Sequence, residues 1–194
     1  MRKSIPKSFK KLNLILDIDN TLISSIPANI LERTPRENLR HLSQLNTWNM
    51  SDNYLVVERP YLQPFLDYVF DNFTVSFWTA ATENYARNIL QRSVIPPSSF
   101  RGKIRKPAYV FHLDHCNSSV DEFNRVKDLR LLCDVYGVFD RGSTLIIDDL
   151  DEVSYAQPND SIRIPAFEAL NPSCIRDNAL LRIMNNMKIS KTLV

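Results

Sequence analysis

Glycine is scarce: Gly102, Gly137 and Gly142 are the only three in 194 residues. A dinucleotide fingerprint and a glycine-rich phosphate loop each need several glycines at fixed spacing, so neither can be built here. A phosphate bound by this chain must be gripped by side chains, a metal or ordinary backbone amides. Cysteine is sparse too, with Cys116, Cys133 and Cys174 widely spaced, odd in number and without a C-x-x-C pair. That usage argues against a disulfide framework and fits reduced thiols in an intracellular compartment, nucleus or cytoplasm. No apolar run reaches the roughly eighteen residues of a membrane-spanning helix, so no membrane association is expected. Charge of one sign is also lacking. The net charge is +2, the pI is near 8.4 and the two signs are interspersed, which leaves no stripe for direct nucleic-acid binding.

Local basicity is confined to residues 1–11, where Arg2, Lys3, Lys7, Lys10 and Lys11 form an arm that reads as a solvated terminus. The arm lacks the apolar stretch of a secretory signal. The remaining chain is long enough for one well-filled domain and too short for two. Its apolar runs of strand length alternate with segments of helical period, the pattern of an α/β domain with a mostly parallel central sheet flanked by helices. Strands are expected at Leu12 to Ile18, Phe73 to Trp78, Tyr109 to Leu113, Leu145 to Ile147 and Ile162 to Ile164. Pro60 suits the first turn of a helix in which Leu62, Phe65, Leu66, Val69 and Phe70 repeat at helical spacing. Glu83 to Arg92 and Val126 to Tyr136 read as further helices, and Pro96-Pro97-Ser98-Ser99 as a break. Residues 24–59 have weak periodicity; with a short helix over Pro35 to Gln44 and a strand at Tyr54 to Glu58, they read as a flap inserted after the first strand. The domain is therefore expected over 12–170, with 171–194 a helical tail packed on it. No repeat or exposed apolar stripe specifies an oligomeric state.

Three of the buried runs end in groups that are awkward in a core. Leu16 leads into Asp17 with Asp19 two residues on, Trp78 leads into Thr79, and Ile147 leads into Asp148-Asp149. In an extended chain, residues i and i+2 point to the same side, so Asp17 and Asp19 face one place. In open α/β sheets ligands bind beyond the carboxyl ends of the strands, so all five side chains are expected in one crevice. Four carboxylates repel one another, and a hard divalent cation, Mg²⁺ rather than zinc, is the simplest remedy for an oxygen-only set. Such a cluster beside a hydroxyl points to phosphoryl transfer if a fixed positive charge is also present. Lys127, at the start of the helix expected over Val126 to Tyr136, is the candidate.

The segments Asp17-x-Asp19-x-Thr21, Phe77-Trp78-Thr79-Ala80-Ala81-Thr82-x-x-Tyr85-Ala86, Val126-Lys127-Asp128-Leu129 and Ile146-Ile147-Asp148-Asp149 resemble, in order and spacing, the four motifs of haloacid-dehalogenase-type phosphatases. They are most similar to the small branch that dephosphorylates the C-terminal domain of RNA polymerase II, the NLI-interacting-factor-like branch. The resemblance runs from about Leu12 to Phe167. It includes Arg59-Pro60 before Phe65-Leu66, and Gln157-Pro158-Asn159 before Ile164-Pro165-x-Phe167. It implies a Rossmann-like fold and a protein serine/threonine phosphatase acting on a phosphorylated protein or peptide. By the same resemblance Asp17 is the nucleophile that becomes an aspartyl-phosphate, and Asp19 the acid and then the base. Thr79 donates to a phosphoryl oxygen, and Lys127 offsets charge on that group. Mg²⁺ is held by Asp17, the main-chain carbonyl of Asp19, and Asp149, with Asp148 a close supporting partner.

Two positions depart from that branch. Asn20 stands where it usually has Glu, and Ile26-Pro27 where it often has an aromatic residue. Both leave open a phosphatase of small esters such as nucleotide or sugar phosphates; a catalytically weak phosphopeptide-binding module is a further alternative. Response-regulator receivers share the residue types, but do not open on Asp-x-Asp. The segment Val110 to Phe123 is longer than in compact members. Its His112, His115 and Cys116 offer only three zinc ligands at unfamiliar spacing, so a polar loop is the expectation there. Trp48, Tyr54 and Tyr61 are candidates either for a peptide groove or for the core.

Overall fold

A computed structural model describes residues 11–51, 53–95 and 104–192. In chain order the elements begin with β1 (Asn13–Leu16), β2 (Ile23–Pro27), α1 (Ala28–Arg33), α2 (Arg36–Leu39), β3 (Thr47–Met50) and β4 (Tyr54–Glu58). They continue with α3 (Leu62–Asn72), β5 (Thr74–Trp78), α4 (Glu83–Ile89), β6 (Val110–Phe111) and α5 (Leu113–Phe123). The last are β7 (Thr144–Asp148), α6 (Asp151–Ala156), β8 (Ser161–Arg163) and α7 (Ala179–Thr192). Among the described residues the central sheet has the order β6-β5-β1-β7-β8, with every pairing parallel.

β1 is buried along its whole length because both sheet faces are covered, which is why it reads as a continuous apolar run. Its side chains still alternate. Leu14 and Leu16 enter a core with Leu62, Phe65, Leu66 and Val69 of α3, Ala86 and Ile89 of α4, and Leu180 and Met184 of α7. Ile15 enters a second core with Trp78, Phe111, Cys116 of α5, Leu132 and Val153 of α6. Leu16 is level with Phe77 on one side and Ile147 on the other, so β1, β5 and β7 end side by side. The flap is an antiparallel sheet of order β2-β4-β3. Ile26, Leu42 and Val57 seal it against Phe167, Ala169 and Cys174.

Several expected elements differ. The flap has two strands, β2 and β3, that its short polar sequences conceal. The strand expected over Tyr109 to Leu113 is only Val110–Phe111. Leu113 instead opens α5, and the segment expected as a polar loop is this eleven-residue helix. The cause is local: the backbone N–H of His112 donates to Nδ1 of His115 at 3.1 Å, a tie across the first turn. The helix expected from Val126 is helical only from Leu129, with a π-type turn at Leu131–Val135, and Lys127 precedes it with φ +52. The Pro96 to Ser99 break and the arm through Lys10 lie outside the described residues.

Arg59, just after β4, ties these parts together. Its guanidinium donates to both carboxylate oxygens of Asp177 at 3.0 and 2.8 Å, to Thr21 O at 3.0 Å and to Pro165 O at 2.8 Å, and it lies over the Phe167 ring. Removing one member of a buried ion pair leaves the other uncompensated. Arg59→Ala is therefore expected to lower unfolding stability by about 3 kcal/mol, read as a shift in urea midpoint at unchanged slope.

Candidate active site

The parallel sheet delivers Asp17 one residue beyond β1, its N–H still bonded to Ile147 O at 3.0 Å, as the ladder's last rung. The ammonium of Lys127 donates to Asp17 Oδ1 at 2.5 Å and to Asp148 Oδ2 at 2.7 Å. Lys127 is 1% exposed and Asp17 4%. Burial pushes the Asp17 carboxyl up to about 7, with Lys127 opposing and Asp148 reinforcing the rise. For Lys127 burial acts downward, yet Asp17 and Asp148 outweigh it and hold the ammonium above the usual lysine range. Asp149 is raised by burial and by its neighbour Asp148.

Lys127 reaches this place through a left-handed backbone that a long side chain rarely adopts. Gln157 clamps it: its Nε2 donates to Lys127 O at 3.0 Å, and its Oε1 accepts from Leu129 N–H at 2.9 Å. Ser119 Oγ accepts from Asp128 N–H at 2.9 Å. Asp148 is equally committed, because its second oxygen accepts from Leu150 N–H at 2.9 Å. Asp149 is freer, with a 3.3 Å hydrogen bond from Thr21 Oγ1.

Asp19 stands in different surroundings. Tyr85 donates its hydroxyl to Oδ1, and Thr79 Oγ1 lies 3.4 Å from Oδ2. Burial raises this carboxyl, with the hydroxyl partners opposing. Thr79 is itself oriented by Ala81 N–H, which donates to its Oγ1 at 3.0 Å. Thus the structure brings Asp17, Asp19, Thr79, Lys127, Asp148 and Asp149 to one end of the sheet. All but Asp148 line an open crevice of about 560 Å³. A crevice of about 510 Å³ between α3 and α7 contains none of them.

Among the described residues, the group able to hold a metal is Asp17, Asp148 and Asp149, whose carboxylate oxygens lie within 4.8 Å of one another. An all-oxygen set fits a hard cation such as Mg²⁺. His112 and His115 do not join a metal cluster: their rings meet edge to face, and Cys116 Sγ points to Thr79 O at 3.5 Å. Of the three aromatics Trp48, Tyr54 and Tyr61, Tyr54 lines the crevice. Trp48 packs on the core and donates to Ser93 Oγ at 3.0 Å, and Tyr61 is exposed at the head of α3. Sequence reasoning assigned no role to Ser25, Leu113 or Leu150, and Tyr85 and Gln157 were legible only as parts of their motifs. Asn20 has φ +57, a conformation that Asn tolerates better than Glu. Asn20 also lines the crevice.

A parallel Rossmann-like sheet with an Asp-x-Asp pair, a threonine, a lysine and a paired Asp-Asp at its carboxyl edge defines a haloacid-dehalogenase-type phosphatase. The chain belongs to the NLI interacting factor-like phosphatase family, whose model matches residues 12–193. It is 32% identical over 183 residues to the putative CTD phosphatase-like protein 355R of Invertebrate iridescent virus 3, covering 94% of this chain and 98% of that protein. The protein of the same name from Invertebrate iridescent virus 6 is 35% identical over 176 residues, covering 88% and 94%. Two solved structures share the fold. One is Fcp1, an essential RNA polymerase II CTD phosphatase, with TM-score 0.55, 21% identity and 81% of this chain covered. The other is an arginine-to-alanine variant of fission yeast Fcp1 bound to beryllium fluoride, with TM-score 0.56, 20% identity and 94% covered. This chain spans 42% and 51% of those two chains. No helix among the described residues is long and apolar enough to cross a membrane.

The raised Asp17 has a consequence for stability. Between its ordinary 3.8 and about 7, the folded chain holds a proton that the unfolded chain has released, so unfolding free energy falls as pH rises through that window. In metal-free buffer the thermal midpoint should drop between about pH 5 and pH 7.5, and Asp17→Asn should flatten most of that drop.

Proposed function

We propose that this chain is a Mg²⁺-dependent protein phosphatase that works through an aspartyl-phosphate on Asp17. Its substrate is phosphoserine or phosphothreonine in an extended, Ser/Pro-rich peptide such as the RNA polymerase II C-terminal repeat. The observation that carries this reading is the unequal environment of the two carboxylates. Asp17 is ion-paired with Lys127, whereas Asp19 is held by hydroxyls. Two acids in different surroundings can take different tasks, one to attack and one to move protons.

Asp17 attacks phosphorus, displacing the alkoxide. Asp19 gives that alkoxide a proton, then takes one from the water that hydrolyses the acyl phosphate. Thr79 donates to a phosphoryl oxygen, and Lys127 favours the ionised form of Asp17 against the effect of burial and orients it while offsetting phosphoryl charge. Asp148 fixes Lys127 and the turn before α6. Asp17, Asp149 and the main-chain carbonyl of Asp19 would hold Mg²⁺, which when bound neutralises charge on the phosphoryl oxygens. Four carboxylates against one ammonium leave room for such a cation.

The peptide reading draws support from the relatives named as CTD phosphatase-like and from the lining of the crevice. Lys127 is its only lining cation among the described residues and is already shared by two carboxylates, so a second phosphate on a nucleotide would find no partner. Tyr54, Leu113 and Leu150 offer apolar surface to a peptide instead.

Phosphate release from a phosphoserine heptad peptide should exceed that from nucleotide and sugar phosphates; efficient turnover of the small esters alone would reverse the assignment. Asp17→Asn should lower release by more than about a thousandfold, and unchanged release would exclude Asp17 as the nucleophile. Chelation with EDTA should abolish turnover, and added Mg²⁺ should restore it.

A further inference from the structure

Asp19 carries two oxygens with different partners, and the difference bears on where its proton sits. Oδ1 accepts the hydroxyl of Tyr85, which projects from the first turn of α4. Behind Tyr85 stands Ser25 of the flap strand β2, its Oγ 2.5 Å from the tyrosine oxygen. A phenol has one hydrogen. Since that hydrogen goes to the carboxylate, Ser25 must be the donor to Tyr85. The rings of Tyr54 in β4 and Tyr85 meet edge to face with centroids 6.1 Å apart. A directed chain therefore runs from Ser25 to Tyr85 to Asp19 Oδ1, with the phenol braced by a second flap strand.

A protonated carboxyl also has one hydrogen. The oxygen that accepts from Tyr85 is the better acceptor when it bears none, so the hydrogen belongs on Oδ2. Oδ2 is the oxygen 3.4 Å from the Thr79 hydroxyl, on the side where the phosphoryl group would bind. That contact is long enough for a substrate oxygen to replace.

We propose that Tyr85, backed by Ser25, is a positioning residue that assigns the catalytic proton of Asp19 to Oδ2 and aims it at the leaving group. The proposal rests on the reading of Asp19 as the general acid. As the bond from phosphorus to the alkoxide breaks and the bond to Asp17 forms, the hydrogen on Oδ2 passes to the alkoxide oxygen. The products are an alcohol, the acyl phosphate and an Asp19 carboxylate. In the second half Oδ2 takes a proton from the attacking water, whose oxygen bonds to phosphorus, and Asp17 leaves as a carboxylate with inorganic phosphate released. Because Ser25 lies on β2, the aim of the acid also depends on how the flap is seated.

The test compares two leaving groups with the full chain and Mg²⁺. A phosphoserine peptide expels an alkoxide that must be protonated, whereas para-nitrophenyl phosphate expels a phenolate that is stable without a proton. In a single turnover with enzyme in excess, which reads the first half-reaction alone, Tyr85→Phe should slow release of the serine alcohol from the peptide by about thirtyfold or more and release of nitrophenolate by less than about threefold, with the steady-state KM for the peptide within about twofold. Ser25→Ala should show the same selectivity with a smaller loss, and it decides the matter if Tyr85→Phe melts well below the parent chain. Equal losses on both esters, no loss on either, or a loss confined to KM would overturn the proposal. Asp19→Asn separates that failure from failure of the acid reading. If it also spares the peptide while Asp17→Asn abolishes turnover, Asp19 is not the acid and the proposal falls with it; if it is selective and Tyr85→Phe is not, only the proposal falls.

Discussion

The ammonium of Lys127, held between Asp17 and Asp148, is the interaction on which the site depends. All three groups are buried, and taking ions out of water costs several kcal/mol each after relaxation. Their mutual attraction offsets that cost only with good geometry and with the remaining hydrogen-bonding capacity satisfied. The fold supplies both. Asp148 closes β7 and turns its second oxygen to the amide that begins α6, while Gln157 holds the backbone on either side of Asp128. A left-handed lysine is itself unfavourable by roughly 1–3 kcal/mol. Packing alone gives no reason to place a lysine there, since an apolar residue at a less strained position would fill the volume at lower cost. The strain is intelligible if the ammonium has to meet a nucleophilic carboxylate and a phosphoryl group in one place.

The same pairing separates the two acids of the Asp-x-Asp segment. They share one strand end, yet Asp17 looks toward Lys127 and Asp19 toward the hydroxyls of Tyr85 and Thr79. An ammonium stabilises a carboxylate as an ion; a hydroxyl bonds either protonation state at one oxygen and leaves the other available. The distinction arises from sheet order. β7 lies on one side of β1 and brings Asp148, while β5 lies on the other and brings Thr79 with α4 behind it.

Much of this was legible in the chain. Runs such as Leu14 to Leu16 and Ile146-Ile147 are apolar because both sheet faces are covered, and the polar residues that end them stand out for that reason. Asp17, Asp19, Thr79, Lys127, Asp148 and Asp149 could be read as one cluster before any geometry. Partners that reach the site through a long loop or a neighbouring element were harder to find. Gln157 acts through backbone contacts across 30 residues, and Ser25 is one of two adjacent serines in a weakly patterned strand. The apolar spacing from Val126 suits a helix that would include Lys127. The left-handed turn that replaces it is fixed by Gln157 and Ser119, tertiary contacts with no local signal.

Asn20, a departure from the family pattern, has a backbone side as well as a chemical one. Its position in the motif invites a substrate argument, but its backbone adopts φ +57, its N–H bonds Ile23 O at 2.7 Å and its carbonyl accepts from Phe167 N–H at 2.6 Å. The turn that separates Asp19 from flap strand β2 is therefore pinned to the segment that holds Phe167. Arg59 grips the same turn through Thr21 O and reaches Asp177 beyond it. Ser25 then extends from that turn to Tyr85 and back to Asp19. The flap root and the acid share a short piece of backbone, so movement at the flap cannot leave the carboxylate's partner untouched. A residue at position 20 that preferred a right-handed backbone would disturb this geometry at both of its anchors.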